Sequence, residues 1–182
     1  MTTTSSRRAQ KLAAEFEAAA EEFGSLVESL TLEEWALRGQ NSPIWSLGAD
    51  EERSVGVIAY HTASVIGIHT VMLREGLAGR PLLGDGRWTV DGVAEWNASV
   101  AGGKAAVTPV EVQGELRTNT VAALDLLRSL CDEDLDRRVT DSDRAALGPF
   151  HPQLETLGQF IQEGPIGHVR IHRESLRATL GR

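Results

Sequence analysis

The sequence predicts an all-α fold, and two observations carry that prediction. Apolar residues recur at spacings of three and four along most of the chain, which is the period of an amphipathic helix. No run of alternating β-branched residues is long enough to predict a sheet. A chain of 182 residues can bury a core without disulfides as supports. We therefore expect one domain over residues 1–182, built as a bundle of four long helices.

The first long helix is predicted over about residues 5–30, where apolar positions alternate with Glu-rich ones. It ends at Thr31, the first residue of TLEEW, which has the capping-box pattern of a short following helix. Residues 38–50 contain Gly, Pro and Asn and therefore predict a loop. We expect Trp35 and Trp45 to hold this loop against the core.

The second long helix is predicted over about residues 51–77 and carries a polar residue within its apolar stripe. That residue is His61, which follows Ile58 by three positions and precedes Val65 by four. Because residues at these spacings share one face of a helix, His61 is predicted to point inward.

The first residues of the third long helix predict where it begins. Thr108 has the character of an N-cap, Pro109 suits the first helical position and Glu111 completes a capping box, so the helix is predicted to run from there to about Leu130. Between the second and third helices, residues 78–107 predict a long loop with a short helix at VAEWNASVA. Loops of that length in a compact domain tend to cover a functional site.

The last helix is predicted from about Thr156 to about Leu180, with Pro165 inside it. Proline removes a helical hydrogen bond, so Pro165 either kinks this helix or marks the start of its second part.

Two histidines of the last helix share a face. On a wheel of about 100° per residue, His172 falls about 40° from His168, on the same side as the apolar residues. Arg170, Arg173 and Arg177 fall between about 140° and 200°, on the opposite side. The histidines are therefore predicted to face the core and the arginines to face water.

This histidine pair predicts a metal site when it is combined with His61. Imidazoles one helical turn apart can both reach one divalent ion at bond lengths of about 2.0 to 2.2 Å, and His61 could supply a third nitrogen. The other interpretation is that they are hydrogen-bonded core residues, and the spacing alone leaves both open. His69 lies about 12 Å further along its helix than His61, by a rise of about 1.5 Å per residue, and is not expected to share the ion. His151 is expected in a loop.

Composition and net charge limit the classes of binding partner that we expect. A net charge of −8 argues against nucleic acid or an anionic membrane, because such binding relies on clustered Lys and Arg. Cys131 is the only cysteine, so neither an intrachain disulfide nor a thiolate zinc site is expected. No signal peptide or run of eighteen apolar residues is visible, which predicts a cytoplasmic protein. Only two of the 18 basic residues are lysines, which suggests a GC-rich bacterial genome.

Several motifs, in their order along nearly the whole chain, resemble one family. They are LTLEEW after the first helix, the loop at Trp45 and Ser46, VIAYHTA with His61, the pair Trp96 and Asn97, LRSLCDEDL at the end of the third helix, and GHVRIHRESL. The chain resembles the DinB-like superfamily, and within it the branch related to the N-terminal domain of mycothiol-dependent maleylpyruvate isomerase.

The resemblance implies a four-helix bundle whose metal is held by His61, His168 and His172. In the isomerase branch the first ligand of the last helix can be Glu, whereas this chain has His168 there, so the expected ligand set is neutral. The resemblance also implies substrate-binding residues near the metal, for which we name Trp45, Trp96 and Asn97.

The expected function is that of a metal-dependent enzyme. A divalent metal, with zinc favoured over nickel or iron, would activate a low-molecular-weight thiol for S-transfer to, or isomerisation of, a small electrophile. The resemblance and the GC-rich composition point to mycothiol as that thiol. Two alternatives stay open, namely a hydrolase that activates water and a non-enzymatic bundle that binds a metal or small ligand. A homodimer is compatible with all three functions, because exposed helix faces often pair.

Overall fold

The computed structural model describes residues 6–39, 53–84, 90–148, 151 and 153–182. Across these residues the regular structure is helical and no strand forms, which confirms the all-α prediction. The helices, in chain order, are α1 (Arg7–Glu28), α2 (Leu32–Ala36), α3 (Val55–Leu77), α4 (Val90–Gly103), α5 (Pro109–Ser129), α6 (Asp132–Asp136), α7 (Asp141–Leu147), α8 (Leu157–Ile161) and α9 (Gly167–Leu180).

Four long segments pack around the core: α1, α3, α5 and the segment from α8 to α9. Helix α5 packs against both α1 and α3, and α9 packs against the same two helices from another side. The largest fully buried side chains come from all four segments and include Phe16, Phe23, Ile58, Leu127 and Phe160. These contacts bring α3 and α9, the two helices with predicted metal ligands, face to face in the interior.

The predicted starts of α1, α2 and α5 are confirmed by their caps. The Ser6 hydroxyl accepts from the Ala9 N–H at 3.0 Å and begins α1. Helices α2 and α5 each begin with a complete capping box, in which a Thr and a Glu three residues later satisfy each other's backbone N–H groups. The capping residues are Thr31 with Glu34, and Thr108 with Glu111.

Helix α3 is the central helix of the fold. It begins later than predicted, because the Ser54 hydroxyl accepts from the Val57 N–H at 3.2 Å and caps it there. Among the described helices, α3 alone is long and apolar enough to cross a membrane, but 72% of its most apolar window is buried inside the protein. Such burial is what the core helix of a soluble protein shows.

The loop after α2 is only partly described. Trp35 is 8% exposed, and its indole Nε1 donates to the Val107 carbonyl at 2.9 Å, so its predicted packing on the core is confirmed. Trp45 lies outside the described residues.

Pro165 lies in a π-helical turn, Gln162–Ile166, that joins α8 to α9 without ending the helical path. A proline has no N–H to donate, and the wider turn accommodates that missing hydrogen bond. Helix α9 begins at Gly167, directly after this turn, so Pro165 marks the start of the part that carries the histidine pair.

Three segments differ from the prediction. Helix α4 has 14 residues, more than the short helix that was expected between the second and third long helices. Helices α6 and α7 were not predicted, because five and seven residues are too few for a helical period to be recognised. The Asp143 side chain explains α7: it completes a capping box with Thr140 and also accepts from the Leu83 N–H at 3.4 Å.

Candidate metal centre

His61 from α3 and the pair His168 and His172 from α9 meet in the interior. Their residues are 5%, 3% and 4% exposed. The ring centroids of His168 and His172 are 4.4 Å apart, and the His61 ring lies 5.1 and 5.0 Å from them. Each residue offers one nitrogen such that the three atoms lie within 4.8 Å of one another. The predicted inward orientation of all three is therefore confirmed.

Local sequence explains this placement. On α3, Ile58 and Val65 flank His61 at helical spacing and are 2% and 7% exposed, so the buried stripe carries the imidazole inward with it. On α9, the histidines lie on the face that packs against α3.

The opposite face of α9 carries the arginines, as predicted. Arg170 and Arg177 are exposed. The Arg173 side chain is only 21% exposed, because it forms ion pairs with Glu22 and Glu174. The wheel assigned the arginines to the correct side, but the expectation that all three simply face water was wrong for Arg173.

Burial keeps the three imidazoles neutral. Desolvation lowers the pKa of His172 to about 3, with a further contribution from the positive charge of Arg53. Desolvation also lowers the pKa values of His61 and His168 well below 6.5, and the neighbouring histidines lower them further. At neutral pH the nitrogen lone pairs are therefore available to a ligand without loss of a proton.

Several polar atoms of this cluster are buried without a hydrogen bond. Within the described part of the chain, neither nitrogen of His172 has a hydrogen-bond partner, and the same holds for Nδ1 of His61. A buried polar atom left unsatisfied costs about 1–3 kcal/mol. A neutral imidazole has one lone pair and one N–H, so a divalent ion would be bound by one nitrogen of each ring. The donor set therefore fits a metal and fits the hydrogen-bonded core interpretation poorly.

The two remaining histidines, His69 and His151, are also buried but do not belong to the group of three. His69 is 7% exposed, and its ring lies edge-on to His168 and Phe160 at centroid distances of 5.5 and 5.6 Å. His69 is not part of the group that could share one ion, in agreement with its distance along α3.

His151 lies outside the described helices, as expected for a loop residue, yet it is only 6% exposed. Its Nδ1 lies 3.5 Å from a carboxylate oxygen of Glu163. Sequence reasoning missed this burial because a residue between helices has no periodic pattern that reports its environment.

Helix α4 brings Trp96 to the cluster. The Trp96 ring lies 5.3 Å from the His61 ring and is half-buried. Asn97 is 3% exposed, and its side-chain oxygen has no hydrogen-bond partner among the described residues. Asn97 lies inside α4. The third residue assigned to substrate binding, Trp45, is outside the described residues.

Arg53 is a residue of this region that sequence reasoning missed. It immediately precedes the cap of α3, is 7% exposed, and its positive charge contributes to the lowered pKa values of His61 and His172. Nothing in its sequence neighbourhood distinguishes it from a surface arginine at a helix start.

No family model, curated protein or solved structure matches the chain. The resemblance to the DinB-like superfamily therefore stays a prediction from the sequence motifs, and the candidate site is judged on its own geometry and chemistry.

Proposed function

We propose that the protein is a divalent-metal-dependent enzyme that activates a low-molecular-weight thiol for S-transfer to, or isomerisation of, a small electrophilic substrate. The observation that carries this proposal is the buried cluster of three neutral imidazoles, His61, His168 and His172. Three protein ligands with an open position are typical of catalytic rather than structural zinc sites. Zinc suits an all-imidazole set best, and nickel or iron(II) would also suit it.

The metal would supply one kind of chemistry. Bound by the three histidines, it would lower the pKa of a thiol at its open position and so raise the fraction present as thiolate. The chain contributes the rest: α3 and α9 fix the imidazoles, and burial keeps them neutral.

The protein's own thiol is poorly suited to the reaction. Cys131 Sγ donates to a carboxylate oxygen of Asp134 at 3.1 Å and contacts one of Glu133 at 3.3 Å. The hydrogen bond to Asp134 raises the pKa of the Cys131 thiol, which disfavours the nucleophilic thiolate. An external thiol would supply the nucleophile instead.

We take mycothiol as that thiol, on the strength of the motif resemblance and the arginine-rich composition. The composition also favours a bacterial source, and the cytoplasm stays the location that we expect from the sequence. The acidic net charge of −8 favours small-molecule partners over nucleic acid or membrane.

The experiment is a turnover assay on zinc-loaded protein with 1-chloro-2,4-dinitrobenzene as electrophile. The thiol sulfur would form a bond to the ring carbon, and chloride would leave. Turnover is expected only when mycothiol or another small thiol is added, and a Cys131→Ser variant should retain it. The His172→Ala variant should lose it.

Three outcomes would contradict parts of this proposal. Hydrolysis of an ester substrate that is unaffected by thiol would favour the hydrolase. Tight metal binding without turnover of either kind would favour the non-enzymatic bundle. Loss of turnover in Cys131→Ser would show that the external thiol is not the nucleophile.

A further inference from the structure

A groove beside the metal centre has the size of a small-molecule site. It has a volume of about 770 Å³ and lies between α3, α4, α5 and the turn that follows α3. Trp96 belongs to both places, because it lines the groove and its ring lies 5.3 Å from the ring of His61. Pockets for small ligands typically have volumes of about 300 to 1,000 Å³.

The inner surface of the groove is mostly apolar. Met72, Leu82 and Leu83 are 6%, 2% and 8% exposed and form its deep side, while Val100 from α4 lines it from across. A ligand that fits here would bury a hydrocarbon surface.

The wall of the groove contains a buried hydroxyl group that lacks a hydrogen-bond partner among the described residues. The Ser64 hydroxyl is buried, lines the groove and has no hydrogen-bond partner among the described residues. Ser64 follows His61 by three residues on α3, so the two side chains are neighbours on adjacent turns. A carbonyl, nitro or hydroxyl group of a ligand in the groove could hydrogen-bond to Ser64.

The charge of the wall favours some ligands over others. Glu75 and Glu115 line the groove, whereas no Lys, Arg or His is among its described lining residues. Arg80 donates to Glu75 at 2.8 Å and offsets that charge. Glu115 accepts from the amide of Asn119 at 2.9 Å, which orients the carboxylate but leaves its charge in place. The ammonium of Lys104 lies 4.5 Å from the ring of the lining residue Tyr60 but is not itself part of the lining. A bound anion would therefore meet the Glu115 carboxylate with no cation among the described lining residues.

We propose that this groove binds the electrophilic substrate, and that the substrate is an uncharged or cationic, mostly apolar molecule with a hydrogen-bonding group for Ser64. That the ligand is a substrate rests on the proposed function, but binding in the groove and its charge preference can be tested independently of that function. It separates this protein from an enzyme for dicarboxylates such as maleylpyruvate, because an anionic substrate would be repelled by Glu115.

The test uses two fluorescent probes that differ by one charge. N-phenyl-1-naphthylamine is neutral, and 8-anilinonaphthalene-1-sulfonate has the same rings with a sulfonate. We expect the metal-free protein to bind the neutral probe at least about tenfold more tightly, because like charges oppose the sulfonate. Equal or tighter binding of the sulfonate would overturn the charge preference.

Matched variants locate the binding. Val100→Trp places an indole in the groove and should weaken the neutral probe by at least about tenfold, whereas Val121→Trp, at a 54% exposed valine of α5 outside the groove lining, should not. Glu115→Gln should bring the affinities of the two probes closer by about threefold or more, and Glu28→Gln, at an exposed position, should not. The Glu115 comparison decides the question even if Val100→Trp fails to fold.

Other outcomes separate this inference from the proposed function. His61→Ala should lose metal and keep the neutral probe. If the wild-type protein binds the neutral probe but no metal, only the proposed function is refuted. Probe binding that Val100→Trp leaves unchanged, or that disappears as the protein self-associates, would overturn the groove assignment. In the second case the groove would be an interface between two copies of the chain.

Discussion

The histidine cluster and the acidic segment around α6 and α7 are both rich in polar side chains, but these side chains differ in their hydrogen bonding. In the acidic segment, Asp134 and Asp143 accept hydrogen bonds from backbone N–H groups and neighbouring side chains, so their lone pairs are used inside the protein. In the cluster, both nitrogens of His172 are buried without a partner in the described chain. Polar groups of the first kind stabilise a fold, and those of the second kind are typical of a site that can bind a ligand.

The largest expected effect at a fixed neutral pH is the stabilisation by metal. Zinc at about a thousand times its dissociation constant should raise the free energy of unfolding by about 4 kcal/mol, because only the folded chain holds the three imidazoles together. Denaturant unfolding with and without zinc measures it. The His172→Leu variant should show almost none of this gain, and an equal gain there would place the zinc elsewhere.

Acid should destabilise the metal-free protein over a window of several pH units. Burial lowers the pKa values of His69 and His172 to about 3 in the folded state, whereas unfolded histidines titrate near 6.5. Between these pH values the unfolded chain binds more protons, so stability is complete above about pH 6.5 and falls as the pH drops toward 3. Each histidine should contribute about 1.4 kcal/mol per pH unit in that window.

Urea unfolding at several pH values between 7.5 and 4 measures this slope. His172→Leu should reduce this slope by the contribution of one histidine, about 1.4 kcal/mol per pH unit. A stability that is flat over this range would contradict the buried neutral state of the cluster.

A carboxylate of the acidic segment should matter through its hydrogen bonds. Asp143 is 1% exposed and accepts from Thr140 and from the Leu83 N–H, so Asp143→Ala should lower the free energy of unfolding by about 2 kcal/mol. Asp141→Ala is the matched control, because that side chain is 91% exposed, and its effect should stay within about 0.5 kcal/mol. Equal losses in the two variants would refute the structural role of Asp143.

The smallest effect should be that of His172→Leu in the absence of metal. Replacing a buried imidazole that has no hydrogen-bond partner among the described residues by an apolar side chain should change the free energy of unfolding by less than about 1 kcal/mol, or raise it. Thermal or urea unfolding of the metal-free proteins checks this. A loss as large as that of Asp143→Ala would show that His172 stabilises the fold without a ligand.

Periodicity predicted those parts of the site that lie on long helices. His61 was found as a polar position in the stripe of α3, and the pair on α9 as the inward side of a wheel, because burial on a helix repeats every three to four residues. The burial of Arg53 and His151 and the contact of Asp143 with Leu83 were not predictable. These depend on tertiary contacts between segments far apart in sequence, which no local pattern records.

Metal analysis of the purified protein beside three histidine variants tests the central claim most directly. Wild type and His69→Ala, a control at the other buried histidine of α3, should each carry about one divalent ion per chain, whereas His61→Ala and His172→Ala should carry almost none. A wild-type protein that takes up no stoichiometric metal, and that matches His61→Ala and His172→Ala in zinc affinity, would contradict the account.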